Sequence, residues 1–383
     1  MPDEHCSACC QRRFGRFFEA TCSELRHDGY QFDAVSGKGT RWASGPPKET
    51  AGQSKAYNVF RAILRNLLLR DLQSEVTFGR HFQPYVNDMS NEIPNATSAC
   101  LNGQSPSWAR LLIAADGTRS AVRRERLPNL RLVDTEGRGV FGKTPITPGF
   151  LGDRALAELA DRLTLIGESD DSKMKLFCDL MTFDHGQGAD AAKSIGLELP
   201  KDYLYWVLVF RKDTIKDTAN YKGPHSLTPQ QSASMSLQLT EHWHGRIRAI
   251  FKEQDPAAAS SLTFLSSRPK ELLSGWQALT SQTASGGLGT LIGDAAHPIP
   301  PVGGFGGNAA FEDAASLCGA LTACAEDGRL PVAGLAEAIR KFELEMLVRV
   351  ESVVERSING SGRFFGMRPM HELAFVADDV YGR

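Results

Sequence analysis

The sequence predicts an α/β protein of about two domains with a mixed sheet-and-helix middle. Three observations predict it. The chain has 383 residues, more than the roughly 100–200 of a typical single domain. Two segments, Lys175–Phe183 and Tyr203–Arg211, are rich in aromatic and branched residues, the composition of strands. From Leu288 the chain reads as strand, acidic turn, proline-glycine loop and alanine-rich helix.

Composition narrows the classes of function. A 42% hydrophobic and 23% charged chain is ordinary globular protein with enough apolar residues for a sizeable core. The 45 acidic and 43 basic residues leave a net charge of −2, which gives no electrostatic footprint for nucleic acid or an anionic membrane. Small molecules are the expected partners. The longest strongly apolar run, Tyr203–Phe210, falls far short of the roughly 18–20 residues of a membrane helix, so no transmembrane segment is expected. The start is polar and cysteine-bearing, without the apolar stretch of a secretory signal, and the cytoplasm is the expected location. Eight cysteines are too few in this length for a disulfide scaffold, and reduced thiols are expected. His5, Cys6, Cys9, Cys10, Cys22 and His27 include one C-x-x-C. No second C-x-x-C or paired histidine follows at zinc-finger distance, so no metal is expected.

Met1 to about Lys55 is weakly patterned, and Ser36–Gly52 reads as turns or loop, so little of it is expected to form core strand. Tyr57–Leu72 places Phe60, Ile63, Leu64, Leu67 and Leu68 at helical spacing, an amphipathic helix. Arg61, Arg65 and Arg70 lie between them and simply solvate its outer face unless a ligand claims one. Ala109–Ala115 reads as a buried strand ended by a tight turn at Asp116–Gly117, with a helix starting in TRSAVRRERL. The middle, from about Arg131 to Ser285, adds a helix over Ser234–Lys252, with Leu237, Leu239, Trp243, Ile247, Ile250 and Phe251 as its apolar positions. Leu288, Leu291 and Ile292 then give a strand that Gly293–Asp294 ends. Gly303, Gly304, Gly306 and Gly307 feed Asn308 and a helix to about Ala325, and a second helix runs from Val332 to about Ser357.

A strand ending in a carboxylate, followed by four glycines and a helix start, offers backbone N–H groups to an anion or a polar ring edge. Glycine allows close approach, and the helix end carries partial positive charge. Asp294 is placed to accept hydrogen bonds from a sugar or polyol. The competing reading is a glycine-rich connector with a capping aspartate, and Asn308 is likewise a candidate N-cap.

Gly293–Leu317 (GDAAHPIPPVGGFGGNAAFEDAASL) closely resembles the second FAD-binding motif of the class A flavin-dependent aromatic hydroxylases, the para-hydroxybenzoate hydroxylase-like family. Ala115–Arg123 (ADGTRSAVR) is similar to that family's Asp-Gly motif, and Asn58–Leu69 (NVFRAILRNLLL) to its arginine-bearing helix, in the same order. The resemblance implies a discontinuous, Rossmann-like FAD-binding domain, drawn from residues 1–120 and 286–383, around a mixed-sheet substrate domain at 121–285. It implies that Asp294 bonds the ribitol of FAD and that the loop from Pro301 through Gly303, Gly304, Gly306, Gly307 and Asn308 lies along the flavin ring. Arg61 would approach the FAD phosphates. Asp116 and Gly117 would support the cofactor and its encounter with the nicotinamide nucleotide, and His297 would shape the loop. The implied activity is a monooxygenase of secondary metabolism, in which NAD(P)H reduces the flavin and one atom of dioxygen reaches an aromatic ring or alkene of a polyketide-like molecule. No side-chain nucleophile is required. The middle domain's Asp184, His185, His242 and His244 have no spacing that singles out a catalytic base.

Members of that family normally begin with a strand and G-x-G-x-x-G for the pyrophosphate. Near the start of this chain Gly15, Gly29, Gly37 and Gly39 neither follow an apolar strand nor open a helix at that spacing. The resemblance therefore implies an incomplete FAD-binding domain without its first βαβ unit. A second reading is a non-catalytic relative with weak or no FAD binding. A third, a related flavin enzyme such as a halogenase, lacks the expected W-x-W-x-I-P motif.

Overall fold

The structure, a computed structural model, describes residues 15–24, 28–43, 57–80, 82–83, 97–101, 107–152, 154–168, 174–215, 227–268, 270–272, 276, 288–325, 330–331 and 334–376. In chain order come the strands β1 (Cys22–Glu24), β2 (Asp28–Asp33), β3 (Gly39–Ala43), β4 (Tyr57–Val59), β5 (Phe82–Gln83), β6 (Thr97–Leu101), β7 (Ser107–Ala109), β8 (Leu112–Ala114), β9 (Val133–Pro145), β10 (Leu163–Gly167), β11 (Lys175–Met181), β12 (Tyr203–Arg211), β13 (Ser260–Ser266) and β14 (Gly289–Leu291). The principal helices are α1 (Arg61–Leu68), α2 (Ala121–Arg126), α3 (Arg154–Asp161), α4 (Gln187–Lys193), α5 (Pro229–Leu239), α6 (Gly245–Lys252), α7 (Phe305–Cys324) and α8 (Leu335–Phe365). The chain divides into two compact units, Met1–Thr77 with Arg138–Leu262 and Phe78–Gly137 with Thr263–Arg383. They cut the chain differently from the three segments expected, because strands near the start pair into the sheet of the middle.

That sheet is mixed, in the order β13-β9-β12-β11-β10-β2-β3. β2 runs parallel to β10, while β10–β11, β11–β12 and β2–β3 are antiparallel. Side chains alternate across a strand, and β12 buries Leu204, Trp206, Leu208 and Phe210 in one core with Trp243, Ile247, Ile250 and Phe251 of the α6 segment. Trp206 donates to Thr144 Oγ1 at 3.1 Å and packs against Gly142 of β9. A Cβ at Gly142 would sit 2.0 Å from its ring.

Four expectations are corrected here. The weakly patterned start does contribute core strands: Phe32 is 1% exposed and β3 pairs with β2 within Ser36–Gly52. The arginine helix is shorter than Tyr57–Leu72, because Tyr57–Val59 pairs with Cys22–Glu24 and the chain turns out at Asp71, φ 65°. The helix over Ser234–Lys252 is two helices. Thr240 bonds back to Ser236 O at 2.7 Å, and His244 caps α6 by accepting from the Arg246 N–H. The strand at Ala109–Ala115 is only Leu112–Ala114 and half-buried, with Ile113 41% exposed. The run Gly137–Gly142 (GRGVFG) has the literal G-x-G-x-x-G spacing but lies inside β9 and opens no helix. Its first and last glycines make room for the rings of Phe365, Phe264 and Trp206, so it is a packing device, not a phosphate cradle.

In the second unit β14 lies parallel to β8, with Gly289 opposite Leu112 and Leu291 opposite Ala114. Its core joins Leu291, Ala295, Ala309 and Leu317 to Ile339, Phe342, Met346, Val350 and Val354, a helical stripe of α8. α8 runs to Phe365, past the expected Ser357, and ends at Gly366 with φ 70°. Gly360 and Gly362 weaken a helix intrinsically, and packing carries it through them.

Replacing Gly142 by alanine is expected to cost about 1–3 kcal/mol, because a methyl group must displace a fully buried indole. Urea unfolding checks it, a lower midpoint at unchanged slope being the expected result. A midpoint equal to the native one would contradict the packing.

Candidate cofactor site

The site begins where β14 ends. Gly289–Leu291 is buried, and the chain turns through a single 3-10 turn, Gly293–Ala295. Gly293 has φ 58°, and a Cβ there would meet Ala310 Cβ of α7 at 2.9 Å, so both conformation and space require glycine. The turn leaves Asp294 exposed, while Ala295 through Pro300 are buried. The chain then comes out through Pro301 and turns at Gly303, φ 92°, and Gly304, φ 66°, with the Gly304 N–H donating to Pro301 O at 3.0 Å. Left-handed backbone at two successive residues is cheap only for glycine. Gly304 is the N-cap of α7 and supplies no side-chain cap. The first-turn N–H groups of α7 therefore keep no intrahelical acceptor and carry the positive end of the helix dipole. Asp294 stands beside that turn: a Cβ at Gly306 would lie 3.9 Å from its Oδ1, and one at Gly307 would meet nothing within 4 Å. Asn308 sits inside α7, not at its cap as expected, because the helix already starts at Phe305.

Behind this surface lies a buried carboxylate, Asp313 of α7. Its Oδ2 accepts from the Gly293 N–H at 2.9 Å and from His297 Nε2 at 2.6 Å, and its Oδ1 accepts from Arg349 of α8 at 2.8 Å. Asp313 and His297 are 0% and 1% exposed. Burial alone would raise this carboxyl, but its bonds to His297, the Gly293 amide and Arg349 hold it below the ordinary carboxylate range. With Nε2 donating, His297 Nδ1 is buried without a partner among the described residues.

The Asp-Gly turn braces the other side. Thr118 donates to Asp294 Oδ2 at 3.2 Å. Arg123, 1% exposed, donates to Ala295 O at 2.9 Å, Asp294 O at 3.3 Å and Thr118 O at 2.6 Å. Its guanidinium thus joins the two turns through their carbonyls. Asp116 accepts from the Ala121 N–H at 2.9 Å, and Ser120 caps α2 by accepting from the Arg123 N–H at 2.9 Å.

Asp116, Gly117, Asp294, Pro301, Gly303, Gly304, Gly306, Gly307 and Asn308 all belong to the second unit, and the Asp-Gly turn meets Asp294 directly. Arg61 belongs to the first unit, exposed at the start of α1. Its charge is felt at Tyr205, whose phenol burial and the neighbouring Tyr203 push up while Arg61 pulls it down. Thr118, Arg123 and Asp313 lie inside the quoted motifs and Arg349 outside them, but spacing gives none of their roles, which come from tertiary contacts. The same holds for an aromatic cluster in the first unit. The Lys143 ammonium lies 4.0 Å from the Phe60 ring and 4.5 Å from the Tyr203 ring, with Met181, Phe183 and Tyr205 around them. Burial pushes Lys143 below its usual range against a pull from Asp255, and burial pushes Tyr203 up to about 12. His185 and His242 pair with Asp202 and Glu168 at 2.8 and 2.6 Å. Cys6, Cys9, Cys10, His5 and His27 lie outside the described residues. Among the described residues no helix is long and apolar enough to cross a membrane.

Residues 241–339 match the FAD binding domain family. Across 93% of its length the chain is 31% identical to elcB of Phaeosphaeria nodorum, a dual O-methyltransferase/FAD-dependent monooxygenase of which it covers 40%. It is 30% identical, over 83% of its length, to CTB3 of Cercospora beticola, another dual O-methyltransferase/FAD-dependent monooxygenase, of which it covers 35%. The chain thus spans about two fifths or less of the length of these relatives. Among solved structures, Klebsiella pneumoniae HpxO complexed with FAD and uric acid superposes with a TM-score of 0.65 at 20% identity, covering 92% of this chain and 75% of that one. The 2,6-dihydroxypyridine-3-hydroxylase of Arthrobacter nicotinovorans gives 0.63 at 15% identity, over 96% and 86%. Those structures define the fold, α/β with mixed sheets. The chain is thus similar to FAD-dependent monooxygenases over most of its length, and residues 241–339 carry the match to an FAD binding domain.

Asp313→Asn is expected to cost roughly 3–5 kcal/mol near neutral pH, because Arg349 and His297 then face a neutral amide. The folded carboxyl has a lowered pKa, so its contribution is complete above the unfolded value of about 3.9. It is lost as the pH falls through the folded value. The variant should lose that part of the acid limb. Urea unfolding from neutral pH into acid measures both, and equal stability near neutral pH would contradict the role.

Proposed function

We propose that this chain is an FAD-dependent monooxygenase that uses NAD(P)H and dioxygen to hydroxylate or epoxidise an aromatic or polyketide-like small molecule of secondary metabolism. The observation that carries the reading is the pairing of exposed Asp294 with the uncapped, glycine-lined start of α7 at the carboxyl end of β14. Such a start suits an electron-rich ring edge or an anion, and an adjacent carboxylate suits polyol hydroxyls. The chemistry of this donor set fits FAD. Asp294 would accept from the ribitol, and the backbone from Pro301 through Gly303, Gly304, Gly306, Gly307 and Asn308 would face the flavin ring. Asp116 and Gly117 hold Asp294 in place through the Thr118 turn, and Arg61 is the candidate for the phosphates. The cofactor-binding domain is then discontinuous, with pieces at 1–120 and 286–383 around a substrate-binding middle at 121–285. FAD supplies the redox chemistry; the chain supplies placement, electrostatics and exclusion of water. The rings of Phe60 and Tyr203 about the Lys143 ammonium, with Tyr205 packed beside them, support an aromatic substrate. The similarity to dual O-methyltransferase/FAD-dependent monooxygenases supports the same class of reaction.

A non-catalytic relative is the second reading, favoured by the one G-x-G-x-x-G run of the described chain being buried in β9. Titration of FAD fluorescence separates the two. The native chain is expected to quench it saturably, and Asp294→Ala to weaken binding at least about tenfold by removing the acceptor for the polyol. NAD(P)H oxidation should then depend on added FAD. A folded native chain that leaves the fluorescence unchanged would contradict the cofactor assignment.

A further inference from the structure

The helix α8 presents Arg349, Arg356, Ser357 and Gly360 at i, i+7, i+8 and i+11, one face of a helix. Each touches the segment between β14 and α7, or α7 itself. Ser357, fully buried, places Oγ 2.7 Å from Pro300 O and 2.9 Å from Val302 O. A Cβ at Gly360 would lie 3.0 Å from Val302 Cγ1, so the missing side chain is what lets Val302 settle on the helix. The Arg356 guanidinium stands 4.9 Å from the ring centre of Phe305, the first residue of α7. Arg349 reaches Asp313.

This segment has little means of holding its own shape. Pro298, Pro300 and Pro301 have no N–H to give, and Gly303 and Gly304 lose more conformational freedom on ordering than any other residue type. Donors from outside the loop are therefore needed: Arg123 supplies them at Asp294 and Ala295 and Ser267 at Pro298, and at Pro300 and Val302 the donor is Ser357, sharing its one hydrogen between two carbonyls on either side of Pro301. We infer that Ser357 is a positioning residue for the cofactor site. By holding Pro300 and Val302 it fixes the turn at Gly303–Gly304, and with it the direction of the free N–H groups at the start of α7. The inference rests on the cofactor role proposed for that loop.

Four full-length forms test it: the native chain, Ser357→Ala, Gly360→Ala and Thr135→Ala. Thr135 is the control, a buried hydroxyl of the same unit that donates to Phe264 O at 2.7 Å in strand pairing outside the loop. FAD affinity, flavin reduction potential, thermal midpoint and amide exchange of residues 299–308 without flavin are measured on each. Ser357→Ala is expected to weaken FAD binding about tenfold, to shift the potential and to speed exchange in the loop. Thr135→Ala should lower the midpoint similarly with FAD affinity unchanged within about twofold. Gly360→Ala serves if Ser357→Ala does not fold. Alanine favours the helix while its methyl group presses on Val302, so its midpoint should hold or rise as FAD affinity falls. Native FAD affinity and potential in both loop-facing variants would overturn the inference. If the native chain binds no FAD, the cofactor reading fails, and the exchange measurement decides the positioning: faster loop exchange in Ser357→Ala upholds it, and unchanged exchange overturns it.

Discussion

The Asp313 carboxylate is bonded by three donors from three parts of the chain: the Gly293 amide at the end of β14, His297 in the loop and Arg349 on α8. A charge taken fully out of water is tolerable only when it is paired and hydrogen-bonded. Each donor is therefore fixed by the same requirement. The strand end cannot move without unpairing the carboxylate, nor can the loop or the long helix. Asp294 is exposed one residue after Gly293, so its position is inherited from a group it does not touch. Arg123 plays the matching part on the other side, spending its donors on three backbone carbonyls.

The arrangement puts chemistry and support on different residues. The groups offered to a cofactor are an exposed carboxylate and main-chain N–H groups, whose direction depends on backbone shape alone. The side chains that set this shape are buried behind it. Glycines at 293, 303 and 304 admit the backbone path, and Asp313, Arg123 and Ser357 select it. Thr290 of β14 also donates to the buried Glu343 of α8 at 2.8 Å, so the strand is tied to the same helix before the turn begins. Burial pushes the Glu343 carboxyl up against the pull of that bond.

Much of this was legible where the signal is local. The strand, acidic turn, glycine loop and helix after Leu288 lie in consecutive residues, and the residues themselves announce the turn chemistry. Tyr203–Arg211 was legible because a strand buried on both faces is a continuous apolar run. What failed depended on distant partners. β2 carries one large apolar residue with a buried side chain, Phe32, and its neighbour in the sheet, β10, lies far along the chain. The break between α5 and α6 was hidden because apolar spacing continues across it, while the bonds that end one helix and cap the next come from Thr240 and His244. Asn308 looked like a cap because Gly304, which has no side chain, leaves no mark of capping. The run GRGVFG illustrates the converse: the spacing is there, but the strand context makes it a place where aromatic rings meet backbone.

The central claim is that the exposed start of α7 and Asp294 are the surface that holds FAD. Amide hydrogen exchange of the native chain with and without saturating FAD tests it directly. Protection is predicted to concentrate at residues 294 and 303–308, with lesser change at the Asp116–Thr118 turn. FAD bound with full occupancy and no added protection at 303–308 would contradict the account.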